Sequence, residues 1–178
     1  MYILIAIASR HGSTREIAEA LAKELCVAGH SVEVQTIDEN TAIETPDAVV
    51  IGSAIYMGGW LPEAREFVER SWLRLASVPT WLFSSGPLGH DDPQPQGNPA
   101  QLDELLATTG AREHRVFVGK LDKQRLHMGE RLITAMVKAP EGDFRDWDAI
   151  RAWAHEIAAA LALVSASSND LLSGDACA

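Results

Sequence analysis

The residues best suited to chemistry open the chain: Ser9-Arg10-His11-Gly12-Ser13-Thr14 follows directly on the apolar run Tyr2-Ile3-Leu4-Ile5-Ala6-Ile7-Ala8. Ser9, Ser13 and Thr14 supply hydroxyl donors, and Gly12 permits positive φ or a close approach of backbone to ligand. A helix beginning here presents free N–H groups and the positive end of its dipole, which together favour an anion such as phosphate. A simpler reading stands beside this one: Ser13-x-x-Glu16 has the pattern of a capping box that holds no ligand.

The elements that must position this hexad alternate between strand and helix. Tyr2–Ala8 reads as a buried strand. From Thr14 to Ala28 the residues Ile17, Ala18, Leu21, Ala22 and Leu25 recur at helical spacing, and Gly29 ends the helix. Further strands are expected at Ser31–Thr36, Ala48–Ser53, Thr80–Ser85 and His114–Val118. Helices are expected after Pro62, at Gln101–Thr109, at Leu121–Lys138 and at Asp146–Val164, with a short one in the Asp38–Pro46 connection. The first, third and fourth strands are apolar on both faces, as parallel strands covered by helices must be. The expectation is an α/β doubly wound sheet of five parallel strands in the order 2-1-3-4-5, with helices on both faces. His90–Pro99 reads as an exposed loop.

Ligands in such sheets bind beyond the carboxyl ends of the strands, near the point where strand order reverses. That directs attention to Ser9–Thr14, to Ala54–Trp60 and to the loop that begins at Gly86. No G-x-x-x-x-G-K-[ST] is present, which argues against a Walker site, and no G-x-G-x-x-G follows the first strand. A phosphoacceptor receiver would carry acidic residues after the first strand and an Asp ending the third. Ser9-Arg10 and Ser53 stand there instead. His11, His90 and His127 are not at metal-ligand spacing, so no metal is expected.

The hexad is similar to the flavodoxin phosphate-loop pattern [ST]-x-T-G-x-T, matched at Ser9, Gly12 and Thr14, with His11 where Thr is usual. Extended through Arg15-Glu16-Ile17-Ala18, it resembles the flavodoxin-domain group that includes the menaquinone-dependent protoporphyrinogen IX dehydrogenases. Val49-Val50-Ile51-Gly52-Ser53-Ala54-Ile55-Tyr56-Met57-Gly58 resembles the same group, as does Asp146-Trp147-Asp148. The likeness spans about Met1 to Leu163. It implies FMN as cofactor, bound by Ser9, Arg10, His11, Gly12, Ser13 and Thr14 at the phosphate. Ala54, Ile55, Tyr56, Met57 and Gly58, with Ser84, Ser85, Gly86 and Pro87, would flank the ring. It also implies an FMN-dependent oxidoreductase or, as the alternative, a flavodoxin-type electron carrier. The partner is then a reductase, a quinone or a small-molecule substrate.

The second loop suits an isoalloxazine on physical grounds as well. A planar apolar ring system needs aromatic or aliphatic walls and nearby backbone polar groups. Tyr56 and Trp60 offer walls, and Gly58 and Gly59 admit backbone. The alternative is that both aromatics merely cover the end of the sheet. The loop from Ser84 to Gly89 has no Tyr for the opposite face. No catalytic side chain is assigned, because a flavin carries its own redox chemistry.

Composition bounds the remaining possibilities. The 178 residues suit one domain, 47% are hydrophobic and 22% charged, and the net charge of −10 disfavours nucleic acid as a partner. The domain is expected to occupy residues 1–164, with 165–178 a flexible tail. Two cysteines, Cys26 and Cys177, build neither a disulfide framework nor a zinc site and point weakly to the cytoplasm. No apolar stretch reaches the roughly 18 residues of a membrane span. The basic stretch Lys120–Lys138 has two readings: a face that docks peripherally at a membrane to meet a quinone, or a helix covering the fifth strand, the latter favoured. The chain then passes from Lys138 to Asp146 without the long basic insertion the dehydrogenases carry.

Overall fold

The computed structural model describes residues 1–86, 98–121 and 142–173. Its elements are β1 (Tyr2–Ala8), α1 (Ser13–Val27), β2 (Ser31–Thr36), β3 (Ala48–Tyr56), β4 (Gly59–Trp60) and α2 (Pro62–Leu75). They continue with β5 (Thr80–Ser85), α3 (Pro99–Thr109), β6 (His114–Phe117), β7 (Lys120–Leu121), β8 (Gly142–Asp143) and α4 (Trp147–Ser173).

Five parallel strands run in the order β2-β1-β3-β5-β6, which is the expected topology, and β4 is added antiparallel to β3. The apolar runs separate by alternation, because successive side chains leave a strand on opposite faces. Ile3, Ile5, Ile7, Ala48, Val50, Trp81 and Phe83 face α1 and α4, where they meet Ile17, Leu21, Leu25, Ile150, Trp153 and Ile157. Leu4, Ala6, Val49, Ile51 and Leu82 face the other way, toward Phe67 and Val68 of α2 and Leu105 of α3. Both faces are therefore dry.

On the first face Phe83, Phe117 and Trp153 form an aromatic trio with centroids 5.5–6.1 Å apart. Gly52 makes room for it: a Cβ there would lie 2.1 Å from the Phe83 ring. The helix α4 is long and apolar enough over Trp147–Ala166 to cross a membrane by length and composition. Its apolar stripe is nevertheless spent on the sheet, with Ile150, Trp153, Ala154, Ile157 and Leu161 buried.

Several boundaries differ from the sequence reading. The third strand extends past Ser53 to Tyr56, and the last helix passes Val164 to reach Ser173. No helix forms in the 37–47 connection; Asp38 accepts from Asn40 N–H and Thr41 Oγ1 and folds it as a turn. Leu121 belongs to β7 rather than to a helix, and β7 pairs antiparallel with β8. This two-stranded stalk stands between β6 and α4 in the chain. The helix expected at Leu121–Lys138 otherwise lies outside the described residues, as do Pro87, His90 and His127.

Candidate functional site

The hexad leaves β1 at the carboxyl edge of the sheet and enters α1 within a closed turn. Gly12 sits at the N-cap with φ 87°, and its N–H donates to Ser9 Oγ at 3.2 Å. No side chain caps α1, so the capping box does not form. Glu16, its expected member, turns instead toward Arg145 Nη2 at 2.7 Å and Lys120 Nζ at 3.8 Å. The N–H groups ahead of Glu16, whose own N–H donates to the Gly12 carbonyl, have no carbonyl one turn earlier in the helix and remain available as donors.

Two hydroxyls separate in role here. Ser13 Oγ accepts the Lys120 N–H at 3.2 Å and ties the stalk to the first turn of α1. Thr14 Oγ1 is buried and has no hydrogen-bond partner among the described residues. An unmet hydroxyl in a buried setting costs about 1–3 kcal/mol, so a ligand acceptor at this turn satisfies a standing need. This orphaned donor is the direct sign that the residues present fit a phosphate.

The second loop is a hairpin rather than a loop. Ala54, Ile55 and Tyr56 extend β3, with Ile55 opposite Trp60 and Tyr56 opposite Gly59. Met57 (φ 51°) and Gly58 (φ 82°) form the two-residue connection, both left-handed as a type I′ turn requires. Arg10 crosses from the first loop and places its guanidinium carbon 4.7 Å from the centroid of the Tyr56 ring. A cleft of about 410 Å³ lies along this hairpin, lined by Arg10, Tyr56, Gly58, Arg65, Asn98 and Gln101 among others.

Trp60 corrects an expectation. Its ring is turned inward and only 6% exposed, so the residue adds little surface to the cleft it borders. The indole Nε1–H donates to Ser84 Oγ at 2.7 Å, and that hydroxyl pairs with His114 Nε2 at 2.7 Å. Burial, partly opposed by the charge of Glu113, pushes His114 down to about 4, so the ring is neutral at pH 7. Ser84 and Ser85 lie inside β5 with both side chains buried, and the Ser84 hydroxyl is committed to this internal chain. Gly86 ends the strand where a Cβ would stand 3.1 Å from the Ile55 backbone. Gly119 would similarly press on Gly86 Cα at 3.2 Å, so three backbones meet closely beside the hairpin.

The structure thus brings Ser9–Thr14, Ala54–Gly58 and Gly86 to one edge of the sheet and withdraws Ser84, Ser85 and Trp60 into its interior. Sequence reasoning missed Arg65, Gln101 and the Glu16–Arg145–Lys120 cluster. Gln101 Oε1 accepts the Trp60 N–H at 2.7 Å, a contact across two elements that no local pattern announces. Glu16 did carry a signal, but its spacing from Ser13 is also that of a cap.

Comparison with known proteins agrees with this geometry. The family model described as "Flavodoxin domain" matches residues 4–148. The protoporphyrinogen IX dehydrogenase [quinone] of Escherichia coli K12 is 30% identical over 173 residues, covering 89% of this chain and 95% of that protein. Among solved structures, a Pseudomonas aeruginosa flavodoxin superposes with a TM-score of 0.54 at 19% identity, covering 90% of this chain and 99% of that one. The rubredoxin oxygen:oxidoreductase of Desulfovibrio gigas reaches a TM-score of 0.62 at 17% identity, covering 91% of this chain and 36% of that one. The orphaned Thr14 hydroxyl, the open first turn of α1 and the family match together make FMN the cofactor. The chain belongs to the flavodoxin domain family.

Proposed function

We propose that the protein is an FMN-dependent oxidoreductase that takes electrons from a small-molecule donor and passes them to a quinone or a protein partner. In this reading Ser9–Thr14 hold the phosphate, with Thr14 Oγ1, Ser13 and the first-turn N–H groups as donors. Ala54–Gly58 and Gly86 would hold the isoalloxazine. FMN supplies the electron-transfer chemistry when bound. The protein's part is to orient it, to hold its charge and to exclude water.

The single observation that carries the reading is the buried, unpartnered Thr14 Oγ1 at the open N-terminus of α1. Two features favour an enzyme over a carrier. The E. coli relative is a dehydrogenase by name. The cleft along the hairpin also carries two guanidiniums, Arg10 and Arg65, in a chain of net charge −10. Such a cleft suits a substrate bearing carboxylates, as protoporphyrinogen IX does.

The test has two stages. Titration with FMN and with riboflavin establishes cofactor choice: the phosphate site predicts much tighter FMN binding, and equal affinity overturns it. FMN-loaded protein is then mixed with protoporphyrinogen IX and a quinone. Turnover supports the dehydrogenase. Reversible reduction by a flavodoxin reductase, without turnover, makes the protein an electron carrier.

A further inference from the structure

Glu16 is a carboxylate in the first turn of the helix whose N-terminus is proposed to receive a phosphate. In an empty helix that placement is favourable, because the dipole welcomes negative charge there. Once a dianion arrives the same carboxylate becomes a like charge at short range. The way the fold treats Glu16 is therefore informative.

Arg145 reaches Glu16 Oε2 through Nη2 at 2.7 Å, and its side chain is only 2% exposed. The same guanidinium grips Asp143 in two-toothed fashion, Nε to Oδ1 at 2.7 Å and Nη2 to Oδ2 at 2.5 Å. It also lies 4.4 Å from the centroid of the Trp147 ring. Lys120 approaches the other Glu16 oxygen at 3.8 Å, while its backbone N–H donates to Ser13 Oγ. Burial works to discharge Arg145, but its hydrogen bonds to Asp143 and Glu16 hold its pKa above the ordinary value. Two cations and two carboxylates make a neutral group.

We propose that Arg145 and Lys120 are positioning residues for the cofactor phosphate: by neutralising and turning aside Glu16, they let the first turn of α1 accept a dianion. The inference rests on the phosphate site proposed above. A half-buried ion pair of this kind adds little net stability by itself. What distinguishes this one is that its carboxylate belongs to the phosphate-binding turn itself, beside Ser13 and Thr14.

The experiment compares wild type, Arg145→Met, Glu16→Gln, the double variant and Lys120→Met, each titrated with FMN and with riboflavin by flavin fluorescence. Arg145→Met is expected to weaken FMN by about tenfold or more, the scale of an uncompensated like charge several ångströms from a phosphate, and to leave riboflavin nearly unchanged. Adding Glu16→Gln restores FMN, because the offending charge is gone. Lys120→Met, on the more exposed side, shifts the FMN-to-riboflavin ratio in the same direction by less. It serves as the deciding variant should Arg145→Met not fold. Equal weakening of both flavins, or no recovery in the double variant, makes the cluster merely structural and overturns the inference. A wild type without preference for FMN overturns the phosphate site and this inference with it. A wild-type preference that persists unchanged in all variants overturns the inference alone.

Discussion

At one end of the site the chain turns from β1 into α1 through Gly12, closed by Ser9 and backed by the buried Arg145 cluster. At the other end β3 overruns the sheet and folds back at Met57–Gly58, whose Met57 side chain is 89% exposed. The first end is charged and held by distant parts of the chain. The second is open, bordered by the guanidiniums of Arg10 and Arg65, and held by one hairpin through the contacts of Trp60 to Gln101 and Ser84. The difference fits the two halves of the ligand. A phosphate presents the same dianion in every complex and rewards a fixed cradle of donors. A ring that must exchange electrons with something else rewards an accessible wall.

The largest expected effect strikes the charged end. Gly12→Val places a branched side chain at φ 87°, a conformation that costs an L-residue about 1–2 kcal/mol and that fills the turn where the phosphate is proposed to lie. FMN binding is expected to fall by roughly 100-fold or more, the equivalent of about 2.7 kcal/mol, with the melting temperature lowered only modestly. A titration paired with a melting curve checks both. Binding that survives would move the phosphate away from this loop.

Thr14→Val sharpens the same end by inverting two signs. The substitution keeps shape and removes a hydroxyl that is buried without a partner in the free protein. The cofactor-free protein is therefore expected to become more stable, by about 1 kcal/mol. FMN affinity falls by roughly 10- to 100-fold, because a hydrogen bond to a charged group contributes about 1.5–3 kcal/mol. Denaturant melts with and without FMN measure the two changes, and opposite signs are the result expected.

How far the sequence revealed each end follows from how each is built. The proposed phosphate cradle at a helix N-terminus needs only contiguous residues, so Ser9–Thr14 can be read from the sequence as a string. The parallel character of the sheet was legible too, because Ile3–Ala8 and Val49–Ile51 are apolar on both faces, as strands covered by helices must be. The hairpin was not. Its turn needs positive φ at Met57, and a methionine gives no warning of that. Nor was the commitment of Trp60 and Ser84 to His114, which joins β4, β5 and β6 across the sheet end. The Glu16–Arg145 pair joins the first turn of α1 to the far end of the chain, and proximity of that kind has no local spelling.

Between the two ends, the buried Trp60–Ser84–His114 chain gives the hairpin a pH limit. Burial lowers His114 from 6.5 to about 4 in the folded state. Between those two values the unfolded chain binds the proton more readily than the folded one, so stability rises with pH across this window. The contribution is whole above about pH 6.5 and is lost as pH falls toward 4. His114→Gln, which retains a hydrogen-bonding group for Ser84, is expected to flatten this part of the stability profile. Melting temperatures taken across the window check it, and an unchanged slope would assign the acid loss to other groups.

The smallest effect concerns the open end. Met57 holds φ 51° in a turn whose first position favours asparagine or glycine, since an ordinary L-residue there meets steric resistance. Met57→Asn relieves that strain without touching the core, because the replaced side chain is almost wholly exposed. Stability is expected to rise by about 0.5–1 kcal/mol, the scale of a turn residue matched to its backbone. The same change removes an apolar side chain from the proposed ring wall. If the isoalloxazine lies along this hairpin, FMN affinity should therefore fall slightly, by about threefold on the scale of one partly buried methionine contact, while the melting temperature of the cofactor-free protein climbs. A gain in stability with no loss of FMN affinity would place the ring elsewhere along the cleft, toward Arg65 and Gln101. Loss on both measures would mean that Met57 is held in its strained conformation by contacts the hairpin needs.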